Sequence, residues 1–339
     1  MKIIIELLRF LNIIPVPFMD VQPRICLARA IIEANRLKVF QTIGSSSNGA
    51  TSSEIRSRTG QDLEALEALL HALSCNGYIH ERRGRFVNSR WVKRWILDEH
   101  TGMPTFLSFQ TSLWNRLTSL DHVLRTGQPK IDYHQEEGGG VASQNQELYT
   151  RAMREVSKRL IPPLLRSVKL PDNASRMLDI GGAHGDYARA FASKFQNLSV
   201  VVLDLPGPAS TGSSMSAEND RVEFQSGNIF NTNLKPEWDI ILLSNMVHLF
   251  NSKLVNDLVS HCAAGLRPGG TLIIMDQFLG VRRIQESIAS LVSLAYLTVG
   301  GKSYSREEMM RFFSSAGLSR ITCRPFLLQA PTAVFQAWK

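Results

Sequence analysis

The feature that most constrains this chain lies beyond Asp172, where short runs of Val, Ile and Leu alternate with helix-length segments. Parallel strands cannot be joined by a tight turn, so this alternation predicts a mostly parallel sheet with crossover helices. The runs that read as strands are 176–180, 198–204, 222–227, 238–244 and 271–276. Two more, 321–327 and 332–338, are separated by little more than Gln329-Ala330-Pro331 and predict an antiparallel end. Seven strands of this kind make a Rossmann-like α/β domain.

In such a sheet ligands bind beyond the carboxyl ends of the strands. After the first run, Gly181, Gly182 and Gly185 occupy a turn leading into a helix at 187–195, and their missing side chains allow close approach to the backbone. A dinucleotide fingerprint would need glycine at 181, 183 and 186, but the sequence has Gly181, Ala183 and Asp186. The second run ends in Asp204, whose carboxylate suits the two hydroxyls of a ribose, although an Asp before Leu205-Pro206 also reads as a turn former. The third ends in Gly227-Asn228-Ile229-Phe230, an amide and an aromatic ring suited to an adenine. Three strand ends therefore point to one adenosyl pocket. The fourth run ends at Ser244 and is followed by His248 in the next loop, and Asp276 closes the fifth.

The first half has a different rhythm. Apolar residues at helical spacing predict one amphipathic helix over 25–43, ended by the Ser-rich segment 45–49. Thr51-Ser52-Ser53-Glu54 carries a capping box, a second helix follows from Asp62, and 78–87 reads as a hairpin turning at Arg83-Gly84. Helix, helix, helix, hairpin is the order of a winged helix. Further helices are expected over 104–128 and 144–168, with a loop at 136–140 between them. The expected organisation is thus a mostly helical winged-helix domain (1–100), connecting helices (101–170) and the α/β domain (171–339).

Charge and composition narrow the classes. The net charge of +8 is spread out: residues 1–100 hold 14 Lys/Arg against 10 Asp/Glu, a net of +4. The helix that would read DNA, 62–74, contains Asp62, Glu64 and Glu67 and no Lys or Arg, a poor surface for phosphates. A winged-helix regulator is the competing class, and this helix argues against it. No run approaches the roughly 20 apolar residues of a membrane span. Glu6 and Arg9 interrupt the apolar amino-terminal stretch, which reads as an amphipathic segment rather than a secretory signal. Cys26, Cys75, Cys262 and Cys323 are widely spaced and fit reduced thiols in a cytoplasmic protein.

Over nearly its full length the chain resembles the small-molecule O-methyltransferases of the hydroxyindole and caffeate type, which join a winged-helix dimerisation domain to a class I methyltransferase domain. The resemblance implies S-adenosylmethionine as cofactor, S-adenosylhomocysteine as product, a homodimer built through the amino-terminal domain, and neither metal nor nucleic acid. It places the cofactor at Asp179, Gly181, Gly182, Gly185, Asp204, Leu205, Asn228, Ile229, Phe230 and Ser244. It makes His248 the general base and Asp276 the acid that orients its imidazole. Tyr149, Met153 and Leu294 would line the acceptor pocket, with Phe106, Phe109 and Trp114 as further candidates, although such stripes are also ordinary core.

The chain departs from the family pattern at four places. Ala183 stands for a glycine, Asn228 for an acid, and His248-Leu249-Phe250 for His-Asp-Trp. Ser303, in Gly300-Gly301-Lys302-Ser303, stands for a second acid beside the base. This last change keeps open an altered chemistry on the same fold, such as decarboxylation, hydroxylation or a pericyclic reaction. For methyl transfer, a phenol with a pKa of about 10 lies about 3.5 units above an ordinary His, roughly 5 kcal/mol for full proton transfer. Phenols, enols and hydroxy-heteroaromatics are therefore favoured as acceptors over aliphatic alcohols.

Overall fold

The structure is a computed structural model that describes residues 16–130, 146–216, 221–326 and 331–339. The amphipathic segment expected at the amino terminus, the loop at 136–140, Leu327, and Gln329 and Ala330 lie outside the described residues. The chain divides into two compact units, residues 1–111 and 112–339.

In the first unit, helices Val16–Arg36, Val39–Gly44, Ser52–Thr59 and Leu63–Cys75 precede an antiparallel hairpin of β1 (Ile79–Arg82) and β2 (Arg85–Asn88). The single helix expected over 25–43 is in fact two, because Lys38 takes a left-handed φ of 59° and breaks the hydrogen-bond ladder between them. The pattern survived the break because both pieces present Ile31, Ala34, Val39, Phe40 and Ile43 to the same core. The other signals act locally as chemistry predicts. Thr51 and Glu54 complete a reciprocal capping box, the Asp62 side chain accepts from Ala65 N–H, and Arg83 and Gly84 both take positive φ at the hairpin turn. Arg85 is tied internally, donating to the Glu54 carboxylate and the Gly49 carbonyl, each at 2.8 Å.

The second unit holds a seven-stranded sheet in the order β5-β4-β3-β6-β7-β9-β8. Its strands are β3 (Arg176–Ile180), β4 (Ser199–Asp204), β5 (Val222–Ser226), β6 (Trp238–Ser244), β7 (Leu266–Gln277), β8 (Ser319–Pro325) and β9 (Thr332–Trp338). All neighbours pair in parallel except β7 with β9 and β9 with β8. β7 begins five residues before the expected Thr271. Leu266 already pairs with Trp238, and the turn-like Arg267-Pro268-Gly269-Gly270 is absorbed at a register shift within the strand pair. Both faces are buried, one mainly under helices Ser252–Gly265 and Arg306–Ser315, the other under Gln146–Ser167 and Asp186–Lys194. That is why the central strands read as unbroken apolar runs.

The strand order positions the site. From β3 the chain moves outward to β4 and β5, then returns to place β6 on the other side of β3. Crevices open where the strand order reverses, so the ligand position is the carboxyl end of β3 and β6. The glycine turn leaves β3 there, and the loop carrying His248 leaves β6 there.

Candidate active site

The turn after β3 is built around close approach. Gly181 N–H extends the sheet ladder to the Leu203 carbonyl at 2.8 Å, and a Cβ on Gly181 would lie 2.9 Å from Met246 Sδ in the loop after β6. A Cβ on Gly182 would lie 2.5 Å from Asp179 Oδ2, and one on Gly185 2.6 Å from the Phe224 ring. These glycines are thus demanded by packing within the chain as well as by access for a ligand. Ala183, at the position where the resemblance expects glycine, has φ 43°, a left-handed conformation that a Cβ disfavours. Its N–H donates to Asp204 Oδ2 at 2.8 Å, and Leu205 N–H donates to Oδ1 at 2.7 Å. The acid after β4 is thereby held against the glycine turn.

Asp179 is fully buried, and neither of its carboxylate oxygens makes a hydrogen bond of ordinary geometry, the Ala188 N–H being the one nearby donor that favours its charge. Burial, reinforced by the nearby Asp204 carboxylate, pushes its pKa up to about 8. A buried carboxyl so weakly satisfied, directly beneath a glycine cradle, is able to accept from a further donor or pair with a cation. At the far end of the same turn Asp186 is fully engaged. It accepts from Arg154 Nε at 3.1 Å and lies 3.6 Å from His184 Nδ1. Although burial opposes it, His184 and then Arg154 lower its pKa to about 2. Arg189 continues the network to the carbonyls of His184 and Gly212 and to Ser216.

Beyond β5, Asn228 is exposed, and its Oδ1 accepts from Phe230 N–H at 3.0 Å, so the amide caps its own turn. Phe230 packs edge-on against Phe250, with centroids 5.3 Å apart. Ile229 is buried among core residues, and Ser244 is buried at the end of β6.

The loop after β6 turns at Asn245, whose positive φ of 51° suits an Asn side chain, and enters a short 3-10 turn at Val247–Leu249. His248 is 9% exposed. Its Nδ1 lies 2.7 Å from Asp276 Oδ1, and its backbone N–H donates to Asp276 Oδ2 at 3.2 Å. Asp276, fully buried at the penultimate position of β7, thus holds both the backbone and the ring of His248. With the proton on Nδ1, Nε2 is the ring nitrogen left to accept. The Tyr296 ring lies over the imidazole at 3.9 Å and 16° from parallel.

Tyr296 and Arg154 were not singled out from the sequence. Tyr296 sits in an apolar helical stretch and nothing local marks it. The Gly300-Gly301 pair beside it does carry a signal, since a Cβ on Gly301 would lie 1.9 Å from the His248 carbonyl oxygen. Arg154 was hidden because its partner Asp186 is distant in sequence. Of the acceptor candidates, Tyr149, Met153 and Leu294 are all half-buried in the second unit. Burial and the Asp204 carboxylate push the Tyr149 hydroxyl up to about 12, against the pull of Arg116. Trp114 is half-buried in the same unit, whereas Phe106 and Phe109 belong to the first. Ser303 is buried, its N–H donates to Ser293 Oγ at 3.1 Å, and its own hydroxyl has no partner. Among the described residues, no group of three or more His, Cys, Asp or Glu is placed to hold a metal ion, and no helix is long and apolar enough to cross a membrane.

The O-methyltransferase domain family matches residues 118–319, which span the glycine turn, His248 and Asp276. The chain belongs to that family. Among its relatives is the demethylspheroidene O-methyltransferase of Rhodobacter capsulatus, 28% identical over 198 residues that cover 56% of this chain and 48% of the relative. The chain matches about half to three fifths of the length of the curated family members. In fold it is similar to human N-acetylserotonin methyltransferase in complex with S-adenosylmethionine, with a TM-score of 0.84 and 18% identity over 98% of this chain and 97% of the other. It is also similar to an O-methyltransferase from neocarzinostatin biosynthesis, solved with S-adenosylmethionine and 2-hydroxy-5-methyl naphthoic acid, with a TM-score of 0.74 and 20% identity over 92% and 95%. The family fold accounts for the strand order and for the helical unit that precedes the sheet.

Proposed function

We propose that this chain is an S-adenosylmethionine-dependent O-methyltransferase of small aromatic acceptors, with His248 as general base. The observation that carries the reading is the Asp276-bound imidazole of His248 at the same strand switch as the glycine turn. The cradle suits the cofactor. Gly181, Gly182 and Gly185 leave room, and on this reading Asp179 would meet a cationic group, Asp204 the ribose, and Asn228 and Phe230 the adenine. S-adenosylmethionine would supply an electrophilic methyl group and depart as the neutral thioether S-adenosylhomocysteine.

The remaining work falls to the chain. Asp276 keeps the proton on Nδ1 of His248 and leaves Nε2 to draw the proton from an acceptor hydroxyl. Because the oxyanion formed meets a cation, its charge is dispersed rather than accumulated, and alignment with deprotonation dominates the catalysis. Tyr149, Met153, Leu294 and Trp114 would line the acceptor pocket, and their apolar surfaces suit a flat ring. The 2-hydroxy-5-methyl naphthoic acid bound by a structural relative supports this acceptor class. A homodimer through the amino-terminal unit and a cytoplasmic location belong to the same proposal.

The first test is calorimetry with S-adenosylmethionine, where we expect binding that Asp204→Ala removes. A screen with labelled cofactor over hydroxynaphthoates, hydroxyindoles and catechols then tests transfer. His248→Ala should keep the binding heat and lower turnover by about 10²–10⁴-fold. Turnover equal to wild type in that variant would remove His248 from the base role. Chelation with EDTA should leave the rate unchanged.

A further inference from the structure

The imidazole of His248 is held along one edge and over one face. The edge contact is the 2.7 Å bond from Nδ1 to Asp276. A single hydrogen bond leaves the ring free to rock about it, because the terminal torsion of His is a broad well rather than a sharp one. The face contact is Tyr296, nearly parallel at 3.9 Å, which blocks that rocking on its side.

Several features press Tyr296 into place. It lies in the last turn of the helix Glu286–Leu297, and its carbonyl accepts from Val299 N–H at 3.0 Å and from Gly301 N–H at 3.2 Å. Gly300 takes φ 85°, and Gly301 lets the chain run directly against the His248 carbonyl, where a Cβ would lie 1.9 Å away. The end of the helix is thereby clamped to the loop that carries the imidazole. Burial, and after it the Asp276 carboxylate, holds the Tyr296 hydroxyl well above its ordinary range, so the group facing His248 is a neutral ring.

The second acid that the resemblance would set beside the base is Ser303 here. Its N–H goes to Ser293, and its hydroxyl is buried without a partner. We infer that Tyr296 is a positioning residue for His248, holding by its ring over the imidazole face what a second carboxylate would otherwise help to hold. This rests on the proposed role of His248 as base, and the test separates the two.

The side-chain resonances of His248, assigned by their loss in His248→Ala, are followed by proton–carbon NMR in the cofactor-free protein. A stacked aromatic ring displaces them, so Tyr296→Phe should keep the displaced position and Tyr296→Leu should lose it. With hydroxynaphthoate as acceptor, kcat should fall about tenfold in Tyr296→Leu and recover in Tyr296→Phe, while KM for S-adenosylmethionine holds in both. Resonances that keep the displaced position in Tyr296→Leu, or that lose it with an unaltered kcat, would overturn the inference. Equal loss in Tyr296→Phe would overturn it too, since the hydroxyl would then be the active feature. If the resonances behave as expected but no acceptor is turned over by wild type, the proposed activity fails and the stack stands.

Discussion

The turn after β3 and the loop after β6 share one end of the sheet, yet they treat their buried carboxylates in opposite ways. Asp276, below the β6 loop, accepts from the backbone and the ring of His248 and from Gln277 N–H. Asp179, below the glycine turn, makes no hydrogen bond of ordinary geometry, with only the Ala188 N–H near enough to favour its charge. A buried carboxylate so weakly satisfied is costly, so its survival at the cradle marks a place that something else completes. The fully bonded Asp276 marks machinery set before any ligand arrives. Under the proposed function the first region would bind and the second hold one group still.

The comparison breaks most severely at Gly301. A methyl there collides with the His248 carbonyl, so Gly301→Ala should displace the loop, lower turnover by about 10²-fold or more and lower stability by about 1–3 kcal/mol, read by kinetics and by denaturant unfolding. Binding heat for S-adenosylmethionine should be far less affected, because the glycine turn is a separate element.

Asp179 gives the next largest effect and one of opposite character. Its folded pKa of about 8 lies above the ordinary carboxylate value, so the folded state takes up a proton between those limits. Stability should therefore fall as pH rises from the ordinary carboxylate range through about 8. Asp179→Asn should flatten that part of the cofactor-free melting profile relative to wild type and weaken cofactor binding. A profile that matches wild type across this range would show that Asp179 carries no buried charge. Asp186 runs the other way. With a pKa near 2, it contributes stability above the ordinary carboxylate value that is lost as pH falls toward 2.

The smallest effect sharpens the account of the turn itself. Ala183 holds a left-handed φ of 43°, and Ala183→Gly should relieve it, raising stability by up to about 1 kcal/mol in the same unfolding experiment. A decrease would mean that the methyl makes a contact worth more than the strain.

Much of this was readable residue by residue. The seven runs, the capping box at Thr51 and the Arg83-Gly84 turn are local signals, and the structure returns all but the start of β7 close to the expected bounds. Errors fell where a local signal had two outcomes. Lys38 took a left-handed conformation that no side chain announces, and β7 starts five residues before the expected 271, running through Pro268-Gly269-Gly270. At the candidate site, Asp204 and His248 stood out in the sequence because each closes or follows a strand. Tyr296 and Arg154 were not, because their partners are distant in sequence.

The sequence by itself determined the alternation of strand and helix, the class of sheet that follows from it, and the glycines where backbone must come close. Those are consequences of short-range sterics and of period, which a chain carries wherever it goes. Only the tertiary structure decided that β6 returns to the far side of β3, bringing the glycine turn and His248 to one crevice. It also decided which of two similar strand-end carboxylates, Asp179 or Asp276, would be left weakly satisfied. Solvation and pairing depend on neighbours contributed by other strands and helices, and no local pattern specifies them.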